Sequence, residues 1–211
     1  NVRVPSIHDI SLQPPTPSYN SCIAEDIGMA RHLASLHECF GASDSLLDAI
    51  LLIKIWLRQR LLDKTPDSLN GFCASMIMMY LVQQKLASRH MSSYQLLRAF
   101  FTFLSSPSSL QKGAYLTPLS DDCDPSSAPA AIEEFKAAHA AVLLDHTLAV
   151  NILSRLSTSS VQELAHESRA ALLCMERDAR DGFAALMLTQ VPFSQKFDEF
   201  VTIHPPSPDA E

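Results

Sequence analysis

Two strongly apolar segments, residues 47–57 and 71–82, constrain the fold of this chain most. Drawn as helices, both carry apolar residues on nearly every side rather than along one stripe. A helix of this kind is normally buried between other elements. The sequence therefore predicts two central, buried helices, one beginning near Ser43 or Asp44 and one capped by Asn70. Their apolar residues are Leu47, Ile50, Leu51, Ile53, Trp56 and Leu57 in the first helix, and Phe72, Met76, Met79, Tyr80 and Leu81 in the second.

Two more helices are predicted in the same half, over residues 20–40 and from Ser92 or Ser93 to about residue 104. Their apolar residues recur at the spacing of one helix face. In the first they are Ile23, Ile27, Ala30, Leu33 and Leu36, and in the second Leu96, Leu97, Phe100, Phe101 and Leu104.

The second half mixes helical and extended patterns. A Ser/Pro/Asp-rich loop over 105–128 precedes a helix over 129–138, with Pro129 suited to its first turn. Residues 140–153 predict a small β-hairpin that has His146 in its turn. A long helix over 158–177, a short one over 181–188 and a closing strand over 197–203 follow. The predicted fold class is mainly α (α+β), with about six helices.

Domain organisation follows from the prolines. Residues 1–19 and 204–211 are proline-rich and predict linkers around a single helical domain over 20–203. The first residue is Asn1 rather than Met, so we expect the chain to be a piece of a longer protein. The longest uncharged apolar stretch, 71–82, is too short to cross a bilayer, so no membrane partner is expected. Five cysteines without a CxxC pair predict a reduced intracellular chain with buried thiols.

No acidic or metal-binding motif is convincing. Asp44 and Asp48 suit the start of a helix, and Asp198 and Glu199 are neighbours on a predicted strand and would point to opposite faces. The acids at 121, 122 and 124 fall in the Ser/Pro/Asp loop. His32, His37 and Cys39 do not share a helix face, and His166-Glu167 lacks the second histidine of HExxH because Ala170 stands there. We therefore predict no catalytic residue, no metal and no cofactor.

Basic residues concentrate between positions 54 and 98. This segment carries net charge +5 in a chain of net charge −7, with Asp63 and Asp67 as its acids. A patch of these cations could bind phosphate or RNA. The alternatives are a solvated surface or contact with an acidic protein. The candidate RNA or phosphate contacts are Lys54, Arg58, Arg60, Lys64, Arg89 and Arg98; Lys85 lies in the same segment.

Several segments in order resemble the Nrap family of nucleolar RNA-associated proteins. They include Leu51-Leu-Ile-Lys-Ile-Trp-Leu-Arg-Gln-Arg60, Gly71-Phe-Cys-Ala-Ser-Met76 and Met91-Ser-Ser-Tyr-Gln-Leu-Leu-Arg98. In the second half they are Leu144-Asp145 with Asn151, the helix containing Glu167, and Asp181-Gly-Phe183. The resemblance covers about residues 14–203.

The resemblance implies a nucleolar protein of the small-subunit processome, in which nucleotidyltransferase-like and helical domains alternate. The chain is similar to the first helical domain, which resembles the central domain of poly(A) polymerases. Expected partners are other processome proteins, neighbouring nucleotidyltransferase-like domains and pre-ribosomal RNA. The segment from Gly71 to Met76 resembles a helix opening that helps hold a nucleotide triphosphate in active relatives. In this sequence Phe72 follows the glycine, and Ser75 is the nearby hydroxyl. This difference argues against nucleotide binding here. The implied function is a non-catalytic scaffold. The alternative is an accessory domain of an active RNA nucleotidyltransferase whose catalytic acids lie outside this chain.

Overall fold

The structure is a computed structural model, and it describes residues 17–41, 43–118, 124–176, 182–189, 199 and 201. The fold is mainly α, as the sequence predicts. Its elements in chain order are α1 (Pro17–Phe40), α2 (Asp44–Gln59), α3 (Gly71–Gln83), α4 (Ser93–Leu104), α5 (Ser108–Gln111), β1 (Ala114–Tyr115), a 3₁₀ helix (Pro125–Ser127), α6 (Ala128–Lys136), β2 (Leu143–Leu144), α7 (Thr158–Met175) and a π-helical segment (Ala184–Leu188).

The helix starts follow local capping chemistry. Ser43 caps α2 by accepting a hydrogen bond from the Leu46 N–H, and Asn70 caps α3 in the same way. Ser92 and Gln95 form a reciprocal capping box at α4. These caps confirm the predicted helix starts, because a cap needs only a side chain and an N–H group two or three residues later.

The main core lies where α2, α3, α4 and α7 meet. Trp56 of α2 is fully buried and its ring lies 4.8 Å from that of Phe101 of α4, measured between centroids. Most of α3 is buried from Cys73 to Leu81, which confirms the prediction for that helix. Burying these large apolar side chains supplies the main stabilisation of the fold, at about 1.5–3 kcal/mol for each.

Two helices are placed differently from the sequence prediction. The prediction that α2 is buried all round is wrong for one stripe, since Leu47, Leu51 and Ile55 are exposed. In α1, an apolar stripe would normally face the core. Here Ile23 and Ile27 face solvent, because the opposite side of the helix packs inward.

The predicted hairpin over 140–153 is reduced to a turn and one bridge. β2 pairs in parallel with β1, which lies inside the segment predicted as a loop. On the hairpin side a single antiparallel bridge joins Leu144 to Asn151. The buried Asn151 amide explains the difference. It accepts from the N–H groups of Leu143 and Leu153 and donates to the Ala141 carbonyl, so a side chain makes bonds that a second strand would otherwise provide.

The segment 105–128 also carries more structure than the predicted loop. It contains α5, β1 and the 3₁₀ helix, and Gly113 precedes β1 with φ of +80°. A Cβ at Gly113 would lie 2.4 Å from the Ile132 Cγ2 atom of α6, so glycine is required there by both backbone and space.

The remaining predictions fall at the ends. The short helix predicted over 181–188 corresponds to the π-helical segment. The predicted closing strand lies outside the described residues except for positions 199 and 201, which have no regular secondary structure. Most residues of the two predicted linkers also lie outside the described residues. The last residues of the first linker are helical, because α1 begins at Pro17. Among the described residues, no helix is both long enough and apolar enough to span a membrane.

Candidate docking surface

An apolar stripe runs along the outside of α1. Ile23, Ile27 and Leu33 are exposed, and 79% of Ile27 is accessible to solvent. Ala30 and Ala34 are exposed too and continue the helical spacing of Ile23 and Ile27. We call Ile23, Ile27, Ala30, Leu33 and Ala34 the α1 stripe. Contiguous exposed apolar surface of this kind is typical of interaction sites.

A second apolar stripe runs along the outside of α2. Leu47, Leu51 and Ile55 are spaced four residues apart, and Leu51 is 58% exposed. We call these three residues the α2 stripe. Lys54 and Arg58 are exposed and lie beside it, four residues apart on the same helix. The stripe therefore combines apolar side chains with a basic margin.

A buried polar pair sets the orientation of α1. The His32 Nε2 atom lies 3.2 Å from Asp145 Oδ2, and the two residues are 0% and 1% exposed. Burial alone would raise the pKa of Asp145, but hydrogen bonds from His32, from Thr147 and from the Val150 N–H outweigh it and lower the pKa below its usual value. Since His32 faces the turn after β2, the opposite side of α1 faces solvent.

Gly28 makes room for this arrangement. It lies one turn before His32, and a Cβ at this position would lie 3.1 Å from His32 Cε1. The inward side of α1 is completed by Ser35 and Cys39, which are small and buried. Burial raises the pKa of the Cys39 thiol, and the nearby Arg89 partly offsets that effect. The inward side of α1 is therefore polar or small from Gly28 to Ser35, and only its last turn, with Leu36 and Phe40, places large apolar side chains against the core.

The predicted basic contacts do not form one patch. Arg58 and Lys64 both approach the Asp63 carboxylate, at 3.9 and 3.8 Å, near the C-terminal end of α2. Lys54 lies one turn before Arg58 and its side chain crosses Gly71. These three cations, Lys54, Arg58 and Lys64, are exposed and lie at one end of α2.

Arg60 does not belong to this group. It is 9% exposed, and its Nε atom lies 3.6 Å from Glu167 Oε2 of α7. Its guanidinium also donates to the Ala185 carbonyl at 3.4 Å. The interpretation of Arg60 as a surface contact is therefore corrected. Arg60 joins the end of α2 to α7 and to the π-helical segment, and that role removes its charge from the surface.

Arg89 and Arg98 lie elsewhere. Arg89 donates to the Glu38 carbonyl at the end of α1, and its own carbonyl accepts from the Ser43 hydroxyl at the start of α2. At 1.5 Å per residue, the start of α2 is about 20 Å from Arg58. Arg98 is exposed on α4, beside the end of α3. The six predicted contacts are thus spread over different ends of the domain.

The first turn of α3 is the segment that resembles a nucleotide-binding helix opening, and its polar groups are engaged within the protein. The Ser75 hydroxyl donates to the Gly71 carbonyl at 2.8 Å within the same helix. The Ser75 hydroxyl is buried and is already bonded to that carbonyl, so it is not available to a ligand. A Cβ at Gly71 would lie 2.9 Å from Lys54 Cε, so the glycine serves the contact between α2 and α3. The cleft next to this helix is lined by Glu25, Asp63 and one cation, Arg155. Arg155 already lies 3.9 Å from the Glu25 carboxylate, so the lining offers no unengaged cation to a triphosphate.

The acidic candidates have local roles where they are described. Asp44 and Asp48 are exposed in the first part of α2, and Asp124 caps the 3₁₀ helix by accepting from Ser126. Asp198 lies outside the described residues, as do the acids at 121 and 122. Within the described ranges, no group of three or more His, Cys, Asp or Glu side chains is arranged to bind a metal ion.

Asp67 is a residue whose role the sequence did not indicate. Its Oδ2 atom accepts from the Ser157 and Ser160 hydroxyls at 2.6 and 2.8 Å. Ser157 is also the cap of α7. Hydrogen bonds from Ser157, then from Ser160 and Thr65, lower the pKa of Asp67 to about 2. The carboxylate joins the loop after α2 to the start of α7, where a negative charge is favourable.

Comparisons with known proteins cover most of the chain. A family model described as the Nrap protein PAP/OAS-like domain matches residues 45–190, from the start of α2 to beyond the π-helical segment. The chain is 33% identical to Nucleolar protein 6 of Mus musculus over 92% of this chain and 16% of the mouse protein. It is 33% identical to Nucleolar protein 6 of Homo sapiens, over 93% and 17% of the two chains. The corresponding values for Nucleolar protein 6 of Drosophila melanogaster are 24%, 90% and 15%. The chain thus spans about a sixth of the length of these relatives.

Proposed function

The chain belongs to the Nrap family, and on that premise we propose that it is a non-catalytic docking domain of a nucleolar protein. In this proposal it acts in the small-subunit processome, during pre-ribosomal RNA processing and small ribosomal subunit assembly. Its neighbours are nucleotidyltransferase-like domains of the same longer protein and other processome proteins. The name Nucleolar protein 6, carried by its relatives, supports the nucleolar location.

The observation that carries the docking role is the outward orientation of the α1 stripe. A domain that functioned alone would gain by burying Ile23 and Ile27. In this chain the middle of α1 buries His32 and Ser35 instead, and only the end of the helix, with Cys39 and Phe40, enters the core. The α2 stripe is a second apolar surface of the same kind. Since the chain spans 16% of its mouse relative, neighbouring domains are natural partners for both stripes.

The non-catalytic role is supported by the opening of α3. Its one buried hydroxyl, Ser75, is bonded within the helix, and the one cation lining the adjacent cleft, Arg155, is paired with Glu25. Neither feature favours binding of a nucleoside triphosphate. A fold shared with polymerases does not transfer their activity when the groups that perform it are differently engaged.

RNA contact is the second part of the proposal, and it rests on Lys54, Arg58 and Lys64. These cations are exposed at one end of α2 and could approach neighbouring phosphates. Replacing all three by glutamate should weaken binding to a pre-ribosomal RNA fragment and reduce the slope of affinity against salt. Lys136, which pairs with Glu133 on α6, provides the control charge reversal. Unchanged affinity and slope would remove RNA contact from this end of α2.

The docking role is tested by sedimentation of the tagged protein in nuclear extract, with and without ribonuclease. We expect migration in large, ribonuclease-sensitive particles. Replacing Ile23, Ile27 and Leu33 by serine should shift the protein to lighter fractions, because the docking surface is lost while the core is retained. Replacing Leu173, which is equally exposed on α7, should not. Migration of the unmodified protein as a small free species would contradict the proposal.

A further inference from the structure

A groove separate from the two stripes lies between the end of α3 and the outer side of α4. It encloses about 480 Å³. Five of its eight lining residues are apolar: Leu81, Leu86, Met91, Ala99 and Phe103. We call this the α3–α4 groove. Leu86 is 55% exposed, so part of the apolar lining is open to solvent.

The α4 side of the groove is one face of that helix. Gln95, Arg98, Ala99, Thr102 and Phe103 line it, and their spacing of three and four residues places them along one face of α4. From Gln95 to Phe103 the face is about 12 Å long, or roughly two helical turns. A helical peptide of matching length would place its own apolar residues along the groove at a spacing of three and four residues.

The walls of the groove are held in place by local bonds. The Leu86 N–H donates to the Leu81 carbonyl at 2.9 Å, which fixes the turn after α3. The capping box at Ser92 and Gln95 fixes the start of α4. The rings of Tyr80 and Phe103 lie 5.7 Å apart and support the floor. A preformed groove of this kind loses little conformational freedom when a partner binds.

The charge of the groove is positive. Arg98 is its one charged lining residue, and among the described residues no carboxylate lies within ion-pair distance of Arg98. Lys85, which precedes Leu86, is exposed and also has no such carboxylate nearby in the described part of the chain. An apolar floor with a basic margin favours a partner that supplies both apolar side chains and carboxylates.

We propose that the α3–α4 groove binds an amphipathic helical segment of a partner protein, with apolar residues on its buried face and aspartate or glutamate facing Arg98. The proposal rests on the docking role proposed above and identifies one partner by its chemistry. The apolar lining favours a peptide over RNA, because four of its five apolar residues are not aromatic, whereas RNA bases stack mainly on aromatic rings. Because the α4 face of the groove is only about two helical turns long, we expect the peptide to bind it weakly and reversibly.

The proposal is tested by asking which helical peptides the groove binds. A displayed library of 14-residue helical peptides is panned on the 211-residue chain, with the Arg98→Glu variant used for counter-selection. We expect enriched peptides with apolar residues at positions i, i+3 or i+4 and i+7, together with at least one acid. Enrichment of basic peptides, or no enrichment, would overturn the proposal.

An enriched peptide is then measured by fluorescence anisotropy. Arg98→Glu and Leu86→Ser should each weaken its binding about tenfold, whereas Leu173→Ser, at an exposed position of α7, should leave it unchanged. All three positions are exposed, so the fold should persist, and circular dichroism checks that it does. Equal weakening by Leu173→Ser would contradict the assignment to the groove. Binding of a 15-nucleotide polyuridine that is lost in Arg98→Glu, without peptide binding, would identify an RNA contact instead.

The two proposals fail in different ways. If the docking role is right and the groove is not a site, the serine variants of the α1 stripe leave the large particles while no acidic peptide is selected. If the groove is right and the docking role is not, the peptide binds in solution while the unmodified protein sediments as a small free species.

Discussion

His32 and Asp145 are 113 residues apart in the chain, and their side chains meet at 3.2 Å in a fully buried position. Their contact attaches α1 to the turn that follows β2. Asp145 also accepts from the Thr147 hydroxyl at 2.8 Å, so a single carboxylate organises both the turn and the helix. The exposure of the α1 stripe is the direct consequence, because this pair occupies the inward side of the helix.

Replacing Asp145 by asparagine should destabilise the chain by about 1.5–3 kcal/mol, because the buried His32 and the turn at Thr147 lose their hydrogen bonds to a charged group. Urea unfolding followed by circular dichroism measures the change. Asp48→Asn, at an exposed position on α2, should stay within about 0.5 kcal/mol of the unmodified chain. A similar small effect at Asp145 would show that the pair does not hold α1.

Replacing Trp56 by alanine should cost about 3–5 kcal/mol, because it removes a fully buried ring that contacts Phe101. The neighbouring Ile55 is 45% exposed, and Ile55→Ala should cost less than about 1 kcal/mol. Thermal unfolding monitored by circular dichroism compares the two. Equal costs at positions 55 and 56 would mean that α2 is not oriented as described. Trp56→Phe, which keeps an aromatic ring, should fall between them.

Asp67 should make stability fall at acidic pH. Its pKa is about 2 in the folded chain against an ordinary value of 3.8. A lowered pKa stabilises the folded chain above the ordinary value, and that contribution is lost as pH falls from about 4 towards 2. The difference in unfolding free energy between the unmodified chain and Asp67→Asn should therefore shrink over this range. Ser160→Ala, which removes one donor to Asp67, should reduce the pH dependence in part; a constant difference would contradict this account.

Lys85→Gly should stabilise the chain by about 1 kcal/mol. Lys85 directly follows the C-cap of α3 and has φ of +58°, a conformation that glycine adopts without steric cost. The change leaves intact the bond from the Leu86 N–H to the Leu81 carbonyl. The adjacent Gln84 has φ of −80°, so Gln84→Gly should destabilise instead. Urea midpoints compare the two variants, and a loss of stability in Lys85→Gly would count against a strained helix end.

Prediction from sequence was most accurate where structure depends on nearby residues. The sequence predicts helix starts at Ser43 or Asp44, at Asn70, and at Ser92 or Ser93. In the structure Ser43, Asn70 and Ser92 are the caps, each accepting from the N–H group three residues later. The prediction of a two-stranded hairpin over 140–153 was wrong, since a single bridge joins the two segments. Alternating apolar residues indicated two strands, but nothing in that pattern shows that the Asn151 side chain takes the backbone bonds.

The candidate site was predictable only in part. Lys54, Arg58 and Lys64 were identified and are exposed, whereas Arg60, in the same run of basic residues, is held by Glu167. The sequence places Arg60 and Glu167 more than a hundred positions apart, so their contact could not be read from local spacing. Asp67 was counted only as a charge that opposes the basic segment, and its bonds to α7 gave no local signal.

The sequence by itself therefore determined the family, the helical class and the helix starts, because these depend on side-chain chemistry within a few residues. Tertiary structure alone decided which side of α1 and of α2 is buried. Periodicity shows that a helix has distinct faces, but the face that becomes buried is the one that finds a partner. For α1 that partner is Asp145, and it draws His32 inward and leaves Ile23 and Ile27 exposed.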